Sequence, residues 1–236
     1  MAASNEAVIW GVMAASGTGK GLWIKGQLRS LKPARLVIWD YKDEYSEFAP
    51  RLYRSLEPVR LAMMKAGAGP LRIRYKPKDG TPTKGFMSEF AVLCRLVQAW
   101  QSCTFVAEEL SMVTTPGWAP PGWRSMTTGG RHEQVHIIGV AQNPALIDKT
   151  FLSNCTLIHV GPLREFPHRQ TVARSMDIPI EKITALEKFQ WIERDYNTRE
   201  VREGWSRPPG NAPTATPRRP TPRGSASPGQ VGEGGR

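Results

Sequence analysis

Apolar and polar positions along the chain follow two spacings, one typical of strands and one of helices. Short apolar runs predict buried strands at 7–13, 34–41, 103–107, 134–141 and 155–160, and alternation predicts another at 71–75. Helical spacing occurs at 22–31, 57–66, 86–100 and 165–187, the last broken at Pro179. Short buried strands separated by helices imply a mainly parallel sheet with both faces covered, an α/β fold.

Two later segments depart from this alternation. Residues 111–130 contain Pro-Gly-Trp twice, at 116–118 and 121–123, and we predict a long loop there. Near the end of the apolar pattern, 189–193 and 200–201 are predicted to close the sheet as a hairpin.

The first strand and helix are joined by a glycine-rich turn that ends in a lysine. Its residues are Ala14-Ala15-Ser16-Gly17-Thr18-Gly19-Lys20-Gly21. Strand, glycine-rich turn, lysine and helix form the layout of a phosphate-binding P-loop, whose amides and helix N-terminus point into one concavity. We therefore expect a nucleotide contact from Ala15, Ser16, Gly17, Thr18, Gly19, Lys20, Gly21 and Leu22; the alternative is an ordinary glycine-rich turn.

Two positions of this loop depart from the pattern G-x-x-x-x-G-K-[ST]. Ala14 replaces the first glycine, and Gly21 replaces the serine or threonine. The second change removes the hydroxyl that normally ligates Mg²⁺. Either water or Thr18 takes its place, or turnover is slow.

Acidic and amide side chains follow other predicted strands. The strand Thr104–Ala107 ends in Glu108 and Glu109, and so resembles a Walker B strand. In that interpretation Glu108 holds Mg²⁺, and Glu109 polarises the attacking water. Gln142 ends the next strand and is a candidate sensor of the terminal phosphate. Strand carboxyl ends form the ligand-binding edge of such sheets; the alternative is that all three are solvated polar residues at strand ends.

Composition adds a partner and a domain division. The 236 residues carry a formal net charge of +11, which favours a polyanionic partner. From Gly204 onward the chain is rich in proline, glycine and arginine and poor in apolar residues. We expect a folded P-loop domain at 1–203 and a disordered basic tail at 204–236, either inert or tethering nucleic acid. No apolar run approaches ~18 residues, so we expect no membrane span. The three cysteines, Cys94, Cys103 and Cys155, sit singly in apolar surroundings without metal-ligand spacing, and we therefore expect a location in a reducing cytoplasm.

The motifs together resemble the FtsK/HerA superfamily of DNA-pumping ATPases. The resemblance spans roughly residues 7–200 and rests on the P-loop, the acidic turn 40–45, the Glu108-Glu109 strand, Gly-Arg-His at 130–132 and Gly-Val-Ala-Gln-Asn-Pro at 139–144. It implies an additional-strand P-loop core with a catalytic glutamate, ATP and Mg²⁺ as cofactors, and a hexameric ring. It also implies that Arg131 is an arginine finger that reaches a neighbouring subunit.

The short chain is most similar within that superfamily to genome-packaging ATPases of tailless, membrane-containing bacteriophages. The expected function is then ATP-driven movement of double-stranded DNA, with capsid or portal-vertex proteins as further partners. Candidate contacts to the DNA backbone are Lys76, Lys78, Lys84 and Arg124. Two alternatives stay open: a degenerate nucleotide-binding module that does not hydrolyse ATP, and a filamentous-phage assembly ATPase of the zonula-occludens-toxin type.

Overall fold

A computed structural model describes residues 8–78, 83–129 and 134–206 of the chain. The strands are β1 Val8–Met13, β2 Arg35–Trp39, β3 Arg51–Tyr53, β4 Leu71–Tyr75, β5 Thr104–Ala107, β6 His136–Ala141, β7 Leu157–Val160, β8 Gln190–Asp195 and β9 Val201–Trp205. The helices are α1 Lys20–Leu31, α2 Leu56–Ala66, α3 Thr83–Trp100, α4 Pro121–Gly129, α5 Lys149–Asn154, α6 Phe166–Met176 and α7 Ile180–Thr184.

The strands form a single mixed sheet in the order β3-β4-β2-β5-β6-β1-β7-β8-β9. Neighbours from β3 to β7 pair in parallel, and the β8–β9 hairpin adds to the β7 edge in antiparallel pairing. One strand, β6, lies between the P-loop strand β1 and the acidic strand β5. The structure therefore has the additional strand that the family resemblance implied.

Helices cover both faces of the sheet, as the continuous apolar runs predicted. On β2, Val37 and Trp39 belong to the larger core cluster, which includes residues of α2, α3, α4 and α6. Their neighbours Leu36 and Ile38 face the other side and pack with α1. Because successive strand residues point to opposite faces, a strand buried on both sides must be apolar throughout.

The prediction of a long loop at 111–130 was wrong for its second half, which forms α4. Pro121 occupies the first helical position, where its missing N–H costs nothing. A side chain at Gly122 would place its Cβ 3.1 Å from the Arg95 amide nitrogen, so this glycine permits close packing against α3. Trp123 is fully buried among the rings of Phe90, Phe105 and Phe151. Tertiary burial of this indole overrides the local turn signal.

The closing hairpin is confirmed and is longer than predicted. Strand β9 continues through Gly204 and Trp205, past the expected domain boundary at 203. Gly204 pairs with Trp191 of β8. The position is a glycine because the Trp191 ring occupies the space of a side chain, with a ring atom only 2.2 Å from an added Cβ. The rest of the expected tail, 207–236, lies outside the described residues. The short elements β3 and α5 were not predicted either.

None of the helices in the described ranges is long and apolar enough to cross a membrane.

Candidate functional site

The turn between β1 and α1 is a P-loop in conformation as well as in sequence. Gly17 and Gly19 have φ of 76° and 115°, which L-residues with side chains rarely adopt. Gly19 also lies against Phe189, whose Cδ1 would be 3.2 Å from an added Cβ. α1 begins at Lys20, so the positive end of the helix and the lysine ammonium share one concavity.

The segment after β7 supports this loop from behind. The Ala15 amide donates to the Pro162 carbonyl (2.8 Å), and the Gly161 amide donates to the Met13 carbonyl (2.9 Å). The Thr18 hydroxyl donates to the Ala15 carbonyl (2.8 Å). Ala14 fits at the first P-loop position because the residue facing it is Gly161, where an added Cβ would lie 3.0 Å from the Ala14 methyl. Ala15 and Thr18 thus hold the shape of the loop.

Predicted site residues that belong to or follow three strands, β1, β5 and β6, line one cleft of about 300 Å³. Ala15, Thr18 and Glu109 are not among the lining residues, although Glu109 contacts Gln142 and Lys20, which are. The cleft is lined by Ser16, Gly17, Gly19, Lys20, Gly21, Leu22, Lys25, Lys42, Glu44, Glu108, Gln142 and Phe189. Most of these residues lie in segments that follow β2, β5, β6 and β1, which are four consecutive strands in the middle of the sheet. This is the carboxyl edge where ligands of such sheets bind.

Glu109 lies at the centre of a hydrogen-bonded group within this edge. It has left-handed backbone dihedrals, φ 50° and ψ 52°, where β5 passes into a 3₁₀ turn, and it is only 7% exposed. Its Oε1 accepts from Lys42 Nζ at 3.0 Å and from Gln142 Nε2, and Lys20 Nζ lies 3.8 Å away. Strained backbone at a buried carboxylate surrounded by donors is typical of a functional position.

Glu108 is held separately, by the turn that follows β2. The Tyr45 hydroxyl donates to Glu108 Oε1 at 2.5 Å. Tyr45 is itself fixed because Asp40 accepts the amides of Glu44 (2.9 Å) and Tyr45 (3.1 Å). Asp40 is fully buried and close to Arg74, at 3.6 Å, so its role is to shape the turn rather than to line the cleft.

Burial and opposite charges act against each other on the ionisable groups of the cleft. Burial lowers the pKa of Lys20, although Glu109 and Glu108 oppose that change. Burial raises the pKa of Glu108, against the hydrogen bond from Tyr45 and the charge of Lys20. For Lys42, burial acts to lower the pKa, but the hydrogen bond and charge of Glu109 outweigh it and the pKa is raised. Lys20 and Lys42 thus face the cleft with Glu109 and Glu108 as opposing charges.

The donor set around Glu108 fits Mg²⁺ bound chiefly through a nucleotide. Mg²⁺ commonly takes one or two protein carboxylates and completes its shell with phosphate oxygens and water. Among the described residues, no group of three or more histidine, cysteine or acidic side chains is placed to hold a metal alone. Gly21 contributes no hydroxyl, and an added Cβ there meets no atom within 4 Å. The space for a serine side chain is thus present.

Other predicted residues are placed less completely. Arg131 lies outside the described residues, together with its Gly-Arg-His motif. Lys76 is half-buried and Lys78 is exposed, both after β4, and residues 79–82 are not described. Lys84 and Arg124 are exposed on α3 and α4.

Sequence reasoning missed Lys42, Tyr45 and Phe189 as parts of the site. The acidic turn 40–45 was noticed as a family motif, but the contacts of its side chains depend on β2 lying beside β5. Phe189 reaches the loop from 170 residues away in sequence, and its amide donates to the Thr18 carbonyl at 3.0 Å. No local pattern indicates that contact.

Comparisons with known proteins agree with the resemblance inferred from the motifs. Protein P9 of Pseudoalteromonas phage PM2 is 29% identical over 182 residues, which cover 75% of this chain and 79% of that protein. The genome packaging NTPase B204 of Sulfolobus turreted icosahedral virus 2, in complex with AMPPCP, matches with a TM-score of 0.63 and 15% identity over 84% of this chain and 96% of that one. This chain has the P-loop NTPase fold.

A second solved structure extends the comparison beyond viruses. VirB4 of Thermoanaerobacter pseudethanolicus matches with a TM-score of 0.63 and 11% identity, covering 86% of this chain and 90% of that one. No protein-family model matches the chain. The predicted fold class is confirmed, and these matches agree with the resemblance to genome-packaging proteins.

Proposed function

We propose that this chain is an ATP-hydrolysing motor that moves double-stranded DNA, and that it packages a genome into a capsid. The observation that carries the proposal is the meeting of three features on the adjacent strands β1, β6 and β5. These are the P-loop with Lys20 and the amide of Gln142, which line one cleft, and the buried carboxylate of Glu109, which lies beside both side chains.

Each group has a role in phosphoryl transfer, which depends mainly on positioning and charge neutralisation. The loop amides and Lys20 bind the phosphates. Glu109 orients and polarises the attacking water, and its bond with Gln142 links that base to the terminal phosphate. When bound, Mg²⁺ supplies further neutralisation of the phosphate oxygens, with Glu108 as its protein carboxylate.

The motor part of the proposal draws on charge and on the names of similar proteins. The formal net charge of +11 suits a protein that grips a polyanion without reading its bases. Both B204 and the phage protein P9 come from viruses, and B204 is a genome packaging NTPase. We propose a closed ring, a hexamer by the family resemblance, in which Arg131 reaches the nucleotide of a neighbour. Capsid or portal-vertex proteins would then be its docking partners.

The primary test is steady-state ATP hydrolysis by the purified full chain, with and without double-stranded DNA. We expect hydrolysis that DNA stimulates. Lys20→Ala should lose both nucleotide affinity and turnover, while Glu109→Gln should bind ATP but lose turnover by about 10²–10⁴-fold, the usual contribution of a general base. Glu181→Gln, an exposed acid of α7, is the matched control and should behave as wild type. Nucleotide binding without any hydrolysis would favour the degenerate module instead.

A mixing experiment tests the ring. Arg131→Ala and Lys20→Ala proteins should each be inactive alone, because one lacks the finger and the other the phosphate-binding lysine. Mixed rings place an intact finger beside an intact P-loop and should regain hydrolysis, since such fingers contribute about 10³–10⁵ in rate. If mixed rings assemble and no activity returns, Arg131 does not act between subunits.

A further inference from the structure

Lys42, like Lys25, is a cleft cation outside the P-loop motif, and it is bonded to the carboxylate of Glu109. It lies on the turn after β2, and its side chain lines the same cleft as Ser16 and Gly17 of the phosphate-binding loop. Its Nζ donates to Glu109 Oε1 at 3.0 Å, closer than Lys20, which lies 3.8 Å from that same oxygen. Two ammonium groups thus converge on one carboxylate oxygen.

The Glu109 carboxylate therefore neutralises Lys20 and Lys42, which also face the phosphate-binding space. Glu109 is nearly buried, with 9% of its side chain exposed, whereas 36% of the Lys42 side chain is exposed. The lysine end of the pair is therefore the end that is free to change partner. A lysine has a flexible four-carbon stem and a point charge, which suits it to follow a phosphate oxygen.

The backbone that carries Lys42 is fixed on both sides. Asp40 accepts the amides of Glu44 and Tyr45, and the Tyr45 hydroxyl donates to Glu108. The turn is thereby tied to β5, the strand that carries both acids. Movement at Lys42 is then confined to its side chain, and the ammonium stays within reach of the cleft.

We propose that Lys42 is a second phosphate-binding cation that contacts the terminal phosphate of ATP. In the absence of nucleotide it is held by Glu109; with ATP bound it moves to the phosphate and leaves Glu109 free to activate water. This inference rests on the proposed ATPase function and adds a residue that discriminates triphosphate from diphosphate. The alternative is a purely structural ion pair, in which Lys42 has no preference between the two nucleotides.

The ratio of two affinities separates these cases. Calorimetry should measure binding of AMPPCP, which has a terminal phosphate, and of ADP, which lacks it, to the full chain. Lys42→Met should weaken AMPPCP binding by about tenfold or more, the worth of a charge-assisted hydrogen bond, and leave ADP binding within about twofold. Lys42→Arg should retain most of the preference, and Lys65→Met, an exposed lysine in the last turn of α2, should retain all of it.

A second pair of variants tests the exchange of partners. In Glu109→Gln the ion pair no longer restrains Lys42, so AMPPCP should bind more tightly than to wild type. Lys42→Met added to Glu109→Gln should remove that gain. Thermal unfolding of each variant establishes that it is folded, and Lys42→Arg provides a folded variant should the methionine change fail.

Three results would overturn the inference. Equal losses of AMPPCP and ADP affinity in Lys42→Met would show a structural ion pair, and unchanged affinity for both would show that Lys42 does not contact nucleotide. In both cases the wild type still binds AMPPCP, so the proposed function survives. Failure of wild type itself to bind either nucleotide would instead refute the proposed function, and this inference with it.

Discussion

The free energy of unfolding of the protein is expected to depend on pH through His136, a residue of the central strand β6. This residue begins β6, the strand that Gln142 follows, and its ring packs edge-on against Trp10 with a centroid distance of 4.3 Å. Burial lowers the pKa of His136 from 6.5 to about 4. Between those two values the unfolded chain binds a proton that the folded chain rejects. Stability contributed by neutral His136 is therefore present at high pH and is lost as the pH falls.

The size of this effect follows from the two pKa values. With 6.5 in the unfolded chain and about 4 in the folded one, the free energy of unfolding should be about 2 kcal/mol lower at pH 5 than at pH 8 on account of this residue. The full loss, reached below pH 4, is about 3 kcal/mol at 1.36 kcal/mol for each pKa unit. His136→Phe keeps an aromatic ring against Trp10 but cannot titrate.

Urea unfolding of both proteins at pH 8 and pH 5 measures the difference. Other acids titrate in both proteins, so their contributions cancel when the pH dependence of the variant is subtracted from that of wild type. We expect wild type to lose about 2 kcal/mol more than His136→Phe over this range. An identical loss in both would refute the reasoning, because it would show that His136 takes up its proton as readily in the folded chain as in the unfolded one.

Three further predictions concern the nucleotide site, the core and the tail. Gly21→Ser should strengthen Mg²⁺ binding and raise the rate of hydrolysis, because space beside Gly21 admits the missing hydroxyl. The hydrolysis rate measured against Mg²⁺ concentration tests this, and a curve that matches wild type would contradict it. Trp123→Ala should lower the free energy of unfolding by about 3–5 kcal/mol, since the indole is fully buried, and a loss below 1 kcal/mol in urea would show that α4 is not packed as described. Deletion of 207–236 should leave the thermal midpoint nearly unchanged, as that segment is poor in apolar residues; a large drop by calorimetry would show that it is docked.

The parts of the site that sequence alone predicted are those whose chemistry is local. The P-loop, the Glu108-Glu109 pair and Gln142 each follow an apolar strand, and parallel pairing brings strand ends to one edge whatever the detailed order. Lys42 was missed because its role depends on β2 pairing with β5, and β2 is separated from β5 in sequence by β3 and β4. Apart from the short β3, the strands were predictable because apolar runs of this length admit few other structures.

The failures have a common physical cause, which is that distant packing decides a locally ambiguous segment. Pro-Gly-Trp at 121–123 is compatible with a turn or with the first turn of a helix, and burial of Trp123 against three aromatic rings selects the helix. Gly204 belongs compositionally to the tail, yet Trp191 on the partner strand requires a glycine there. In each case the deciding contact comes from another element.

The facing pair Ala14 and Gly161 has an evolutionary consequence. An added Cβ at Gly161 would lie 3.0 Å from the Ala14 methyl, so side chains at both sites crowd each other and one must shift. The two sites are thus expected to be epistatic: Gly161→Ala should cost more stability in this chain than in an Ala14→Gly background. Pattern searches that demand glycine at the first position will overlook proteins of this kind, whereas a search that accepts a small residue at either site, provided the other is glycine, will find them.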